Sequence, residues 1–203
     1  MEINVYLVNI KNKKVEDILN DYKEYLTAED IKKAKRFKFE LNQKQSLISS
    51  SLKNKYIGKD IYYNNHGKPL TDSVFFNISH SDNMIVMAKS SDVEVGIDIE
   101  HLTDDVSDEL INHICNEKEK EFILKNKSTN FYYIWTRKEA ILKCFGTGLI
   151  NELKSIDAID LDSFYFDKIK LHTEFINDYV FSAAYKTVSN DVKIVIFKEK
   201  NYE

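Results

Sequence analysis

The chain has 203 residues, 43% apolar and 31% charged, and its 29 Lys plus Arg against 33 Asp plus Glu leave a net charge of −4. That balance fits a folded body able to bury a core, and it excludes the basic surplus of a broad nucleic-acid binder. Met1-Glu2-Ile3-Asn4 has no basic leader, no apolar run approaches the ~20 residues of a membrane span, and Cys115 and Cys144 lack metal-ligand spacing. The reading is a reduced, cytoplasmic protein without a membrane segment.

Residues 3–10 alternate as a first strand, and Val15–Leu26 follows a short helical pattern. Thr27-Ala28-Glu29-Asp30 forms a capping box at the start of a second helix that runs to about Tyr56, with a break near Leu41. Val74–Ile78, Met84–Lys89 and Val93–Ile99 read as strands, the last two joined through Ser90-Ser91-Asp92 as a hairpin. Asp104–Lys127 and Thr129–Phe145 then read as helices, followed by strands near Phe164–Thr173, Tyr179–Lys186 and Val192–Phe197. The order of strand, helix pair and strands thus occurs twice. It predicts an α+β fold of two similar α/β lobes of about 100 residues each, 1–91 and 92–203, packed as one body.

Only five Gly and one Pro occur, and nearly all stand in Gly67-Lys68-Pro69, Gly96-Ile97-Asp98-Ile99-Glu100 and Gly146-Thr147-Gly148-Leu149. On a strand, Gly96, Asp98 and Glu100 share one face, and Val95, Ile97 and Ile99 the other. Carboxylates two residues apart can reach one hard cation, and a glycine beside them leaves room for a ligand to approach the backbone. The same hexapeptide also reads as an amphipathic edge strand with a solvated acidic face.

Trp135, Glu139 and Lys143 fall at i, i+4 and i+8 on one helical face, and Gly146 is a natural helix terminator. Glu139 and Lys143 read either as a surface ion pair or as a partly buried pair whose carboxylate a metal would neutralise. In Phe75-Phe76-Asn77-Ile78-Ser79-His80-Ser81 an apolar strand runs into hydroxyl and imidazole groups. No Gly-x-Ser-x-Gly elbow is present, and adjacent strand side chains point to opposite faces. This favours anion binding by Ser79 and His80 over a hydrolase nucleophile, with a hydrogen-bonded turn histidine as the plain alternative.

In this order and spacing, Asn77-Ile78-Ser79-His80-Ser81, Val95-Gly96-Ile97-Asp98-Ile99-Glu100 and Trp135-Thr136-Arg137-Lys138-Glu139-Ala140-Ile141-Leu142-Lys143 resemble the 4'-phosphopantetheinyl transferases of the larger, surfactin-synthetase-activating (Sfp) type. Gly67-Lys68-Pro69 and Gly146-Thr147-Gly148-Leu149 match that family as well, so the resemblance covers about residues 66–149. It implies two lobes related by a pseudo-twofold axis on one chain, active as a monomer. It implies Mg²⁺-dependent transfer of the 4'-phosphopantetheine group from coenzyme A to a serine of an apo acyl or peptidyl carrier protein, with release of adenosine 3′,5′-bisphosphate.

By the same resemblance Asp98, Glu100 and Glu139 are magnesium ligands, Glu139 is also the base for the incoming serine, and Lys143 neutralises the departing phosphate. Ser79 and His80 contact the phosphates of coenzyme A, His80 the 3′-phosphate; Lys68 contacts the nucleotide from the loop passing the adenine, and Lys33 belongs to the 3′-phosphate clamp. Asp30 and Gln45 depart from the basic residues usual in that clamp, with Lys44 and Arg36 nearby as substitutes. Carrier docking is expected around Ile111, Ile114 and Phe122, with ordinary core packing as the alternative role for each. Two other classes stay open at this point: a non-catalytic module that binds coenzyme A or a carrier protein, and a metal-dependent hydrolase of nucleotide pyrophosphates.

Overall fold

A computed structural model describes residues 1–147, 153–160 and 168–199. The first half builds β1 (Glu2–Asn9), α1 (Val15–Asp21), α2 (Ala28–Ala34), α3 (Glu40–Tyr56), β2 (Tyr62–Tyr63), β3 (Pro69–Leu70), β4 (Phe75–Ser81) and β5 (Met84–Ser90). The second half builds β6 (Val95–His101), α4 (Asp108–Ile114), α5 (Glu117–Ile123), α6 (Lys127–Phe145), β7 (Ile169–Ile176), β8 (Tyr179–Lys186) and β9 (Lys193–Lys198). The fold is mixed α+β. Among the described residues no helix is long and apolar enough to cross a membrane.

Two sheets dominate, one ordered β4-β5-β1-β9 and one β6-β8-β7, with β2 and β3 as a separate short ribbon. Alternation decides what each face covers. In β1, Ile3, Val5 and Leu7 join Met84, Val86 and Ala88 of β5 and meet Val95, Ile97, Ile99 and Phe181 from the other sheet. The opposite faces of β1 and β5, through Tyr6, Val8, Ile85 and Met87, lie under Leu47, Ile48 and Leu52 of α3. A third apolar cluster sits beneath α6, where Ile134, Ile141 and Cys144 meet Ile111, Ile114 and Ala184. The layers therefore run helices, sheet, sheet, helices.

The two sheets are stitched together between β4 and β6 by side chains. Asn77 Oδ1 accepts from the Ile97 amide at 3.0 Å, and Ser81 Oγ accepts from the His101 amide at 3.1 Å. Ser79 and Ser81 in turn donate to Asp98 and Glu100, each at 2.8 Å. Asn77 and Ser81 thus stand in for the backbone partners that the inner edge of β6 would otherwise lack.

Several elements differ from the sequence expectation. The long N-terminal helix breaks at residues 35–39, before Leu41, so that α2 and α3 are separate helices. The stretch expected as one helix over 104–127 is two, because Asn116 starts α5 afresh with a capping box to Glu119. Strands β5 and β6 are not a hairpin: they lie in different sheets. The hairpin is β4–β5, with Ser81 paired to Met84 and Asp82 turning at φ 46°, the left-handed backbone such two-residue turns use. The last strand pairs parallel with β1, Ile3 opposite Ile194, so the C-terminal segment returns to the first half's sheet. The start of the strand expected near Phe164–Thr173 and the Gly148-Leu149 pair lie outside the described residues.

Candidate active site

A cavity of about 580 Å³ opens between the two halves. Lys33, Ser79 and His80 line it from the first half, and Asp98, Glu100, Trp135, Glu139 and Lys143 from the second. Seven of the eight residues singled out as site residues are therefore brought together. Lys68 is not: its Nζ donates to the Cys144 carbonyl at 2.7 Å, satisfying one of the free carbonyls at the end of α6. Asn64 helps there by donating to the Gly146 carbonyl at 2.9 Å, where Gly146 ends the helix at φ 70°.

Gly96 sets the distance between β6 and α6. A methyl group there would stand 2.2 Å from both the Ala140 carbonyl oxygen and the Cys144 amide nitrogen. The space expected beside Asp98 for a ligand is thus filled by the backbone of α6, and this close approach is what aims Glu139 and Lys143 at the acidic face of β6. Trp135, on the same helical stripe, donates its Nε1–H to Glu100 Oε1 at 3.1 Å.

The acidic strand face is not solvated. Asp98 is only 3% exposed. Its Oδ1 accepts from Lys143 Nζ at 2.6 Å and from Ser79 Oγ at 2.8 Å, while Lys143 Nζ also lies 3.0 Å from Ser79 Oγ. Burial pushes the Asp98 carboxyl up against the opposing pull of Lys143. Burial also pushes up Glu100 and Glu139, and the charge of Asp98 adds to both.

Two carboxylate oxygens, Asp98 Oδ2 and Glu139 Oε1, are buried without a hydrogen-bond partner among the described residues. Such orphaned oxygens among mutually repelling carboxylates are the donor set a hard divalent cation takes. With Lys143, Ser81 and Trp135 on the other oxygens, the described residues form no closed cluster of three ligating groups. The residues fit a magnesium ion by chemistry and charge.

The opposite wall is basic. Burial of its ring and the nearby Lys143 charge hold the His80 imidazole below its ordinary value. Beside Lys33 the cavity has a second ammonium, Lys53 of α3, that no motif pointed to. Its only sequence signal is a polar stripe, Ser46, Ser49, Ser50 and Lys53, at helical spacing. Gln45, also buried at this wall, donates its Nε2–H to the Asp82 carbonyl at 2.8 Å. Asp30 closes the capping box of α2 with Thr27. Of the two substitutes considered for the clamp, Lys44 is bound to the Lys13 carbonyl at 3.0 Å, and Arg36 lies 3.9 Å from Glu29.

Lys138, next to Glu139 in the motif, points the other way. It is fully buried and pairs with Glu119 at 2.7 Å, while also donating to the Ile114 and Leu153 carbonyls at 2.9 and 2.8 Å. The other oxygen of Glu119 accepts from the Ala158 amide. One ion pair thereby ties α4, α5 and the segment after α6 to the helix that carries Glu139. Ile111 and Ile114 are core residues beneath it, and Leu110 and Leu124 are the exposed apolar residues of α4 and the α5 end. Both cysteines are buried, with thiols pushed up to about 11, so neither is a nucleophile.

A fold of this kind, with paired carboxylates on a strand and an acid–lysine helix packed across them, defines a class. The sequence model of the 4'-phosphopantetheinyl transferase superfamily matches residues 94–195, which hold both β6 and α6. The chain belongs to that superfamily, a family of transferases. It is similar to the 4'-phosphopantetheinyl transferase gsp of Aneurinibacillus migulanus, 34% identical over 116 residues, 54% of this chain and 44% of that protein. It is also similar to the 4'-phosphopantetheinyl transferase HetI of Nostoc sp., 29% identical over 71% of this chain and 70% of the relative. The 4'-phosphopantetheinyl transferase Sfp of Bacillus subtilis is 28% identical over 74% and 68%. The match with gsp thus spans less than half of that protein's length.

Proposed function

We propose that this protein transfers the 4'-phosphopantetheine group of coenzyme A to a serine hydroxyl of an apo acyl or peptidyl carrier protein. The observation that carries the reading is the pair of partnerless buried oxygens, Asp98 Oδ2 and Glu139 Oε1, facing a basic wall across one cavity. Coenzyme A suits this division: its phosphates meet Ser79, His80 and Lys33, and its pyrophosphate reaches the carboxylates. Asp98, Glu100 and Glu139 are the residues that would hold Mg²⁺, which supplies charge neutralisation at the pyrophosphate when bound.

The chain's own groups account for the remaining chemistry. Glu139, whose pKa is raised by burial and by the Asp98 charge, accepts the serine proton directly or through a water. The serine oxygen bonds to the β-phosphorus, and the bond from that phosphorus to the bridging oxygen breaks. The leaving group departs with the electron pair as adenosine 3′,5′-bisphosphate. The Lys143 ammonium then leaves the Asp98–Ser79 contact for the departing phosphate, an electrostatic role of the kind that dominates phosphoryl transfer. Because one chain supplies both walls, the active species is a monomer. The cytoplasm, where coenzyme A and reduced thiols coexist, is its expected compartment.

Incubation with coenzyme A and Mg²⁺, with and without an apo carrier protein, tests the reading. Adenosine bisphosphate released only with carrier, together with a carrier heavier by one phosphopantetheine, supports transfer. Release without carrier means a pyrophosphate hydrolase, and no release means a binding module.

A further inference from the structure

The basic wall holds a charge arrangement that the motif residues do not explain. Lys33 on α2 and Lys53 on α3 both reach the same cavity, and neither has a hydrogen bond or ion pair among the described residues. Asp30, the acid whose charge acts on Lys53, is hydrogen-bonded by Thr27 and by Asn54, whose Nδ2 donates to it at 3.0 Å. Ser46 and Ser49 line the cavity on the same stripe of α3 as Lys53. The positions where Asp30 and Gln45 stand carry no positive charge, so Lys53 is the extra cation at this end.

We infer that Lys53 is a specificity-determining residue, which with Lys33 binds a phosphomonoester dianion at the α2–α3 end of the cavity. This rests on the coenzyme A reading above for the identity of the anion, the phosphate on the ribose, but the charge pair stands independently of it. The two ammoniums repel each other and neither has an ion pair of its own among the described residues, Asp30 acting on Lys53 only through its charge; an oxyanion between them removes the repulsion while gaining charge-assisted hydrogen bonds. Burial first and then the Lys33 charge hold the Lys53 ammonium below its ordinary value, with Asp30 pulling the other way. The hydroxyls beside it offer donors to the remaining phosphate oxygens.

The test is calorimetric binding in chelator-containing buffer, so that no metal contributes. Coenzyme A, its 3′-dephospho form and adenosine 3′,5′-bisphosphate are titrated into the unmodified protein, Lys53→Met and Lys53→Arg, with circular dichroism melts to confirm folding. The unmodified protein is expected to prefer coenzyme A over the dephospho form by about 10- to 100-fold. Lys53→Met should lose about tenfold of its affinity for coenzyme A and for the bisphosphate, leave dephospho-coenzyme A within twofold, and Lys53→Arg should recover most of the preference. Unchanged discrimination in a folded Lys53→Met variant overturns the inference and leaves the transferase reading intact. So does equal binding of both cofactors by the unmodified protein. Lys53-dependent binding of the bisphosphate by a protein that transfers nothing to a carrier sinks the transferase reading and upholds the anion site.

Discussion

At Glu139 two requirements meet in one carboxyl: it must lose its proton to hold the proposed cation, yet it is buried beside Asp98 and Glu100. Burial first, then those charges, raise its pKa. A carboxyl raised on folding keeps its proton longer in the folded chain than in the unfolded one. Its stabilising contribution is therefore full at low pH, and it is lost as pH rises from the ordinary carboxylate range through the raised value. Each unit of such a shift is worth about 1.4 kcal/mol, or about 3–6 °C in a chain of this size. Glu139→Gln removes the titration while keeping the shape. In chelator, the thermal midpoint of Glu139→Gln should rise relative to the unmodified protein as pH climbs from about 4.5 to about 7, and Mg²⁺ should close that gap by stabilising only the unmodified chain. His80, whose folded value is lowered, has the opposite slope, but it is common to both proteins and cancels in the difference. Parallel midpoint curves in chelator would show that Glu139 carries no burden of burial. The same variant should lose nearly all transfer activity.

At the scale of elements, the site depends on α6 lying against β6 at Gly96 and being held there by Lys138. Gly96→Ala puts a methyl group 2.2 Å from two backbone atoms of α6, with no flexible side chain to yield. The helix must shift, costing about 1–3 kcal/mol, and a displacement near 1 Å at the carboxylates is enough for about 100-fold in rate. Loss of activity well beyond the loss of stability is the expected pattern, read from turnover and melting together; a Gly96→Ala protein with normal turnover would mean that the spacing is not catalytic. Lys138 lies at the far side of the same helix. Lys138→Met leaves Glu119 charged and buried with only backbone donors, and breaking a pair of this kind costs about 3–5 kcal/mol. Adding Glu119→Gln to it should restore part of that loss in denaturant unfolding, whereas additive losses would show that the two groups act separately.

For the whole molecule, the motif residues were legible because their chemistry forces them to alternate. Asp98 and Glu100 had to share a face of β6, and Trp135, Glu139 and Lys143 a face of α6, whatever the tertiary structure. What was not legible came from contacts distant in sequence. The tie of Lys68 to the end of α6 spans 76 positions, and the pairing of β9 with β1 joins opposite ends of the chain. Lys53 sat unmarked in a run of serines because nothing local distinguishes a cavity-facing lysine from a solvated one. The β9 pairing also bears on assembly. It sets the second half's last strand against β1, and β4 and β6 meet through side chains, so that Lys33 and Asp98 line one cavity without a second chain. A mixing experiment is sharper here than a molecular mass. Asp98→Ala and a Lys33→Met/Lys53→Met double variant, each impaired at a different wall, should remain as inactive together as apart, since every cavity then carries a defect. Recovery of transfer on mixing would mean that the walls come from different chains. Sedimentation of the cofactor-bound protein at one chain's mass should accompany the absence of recovery.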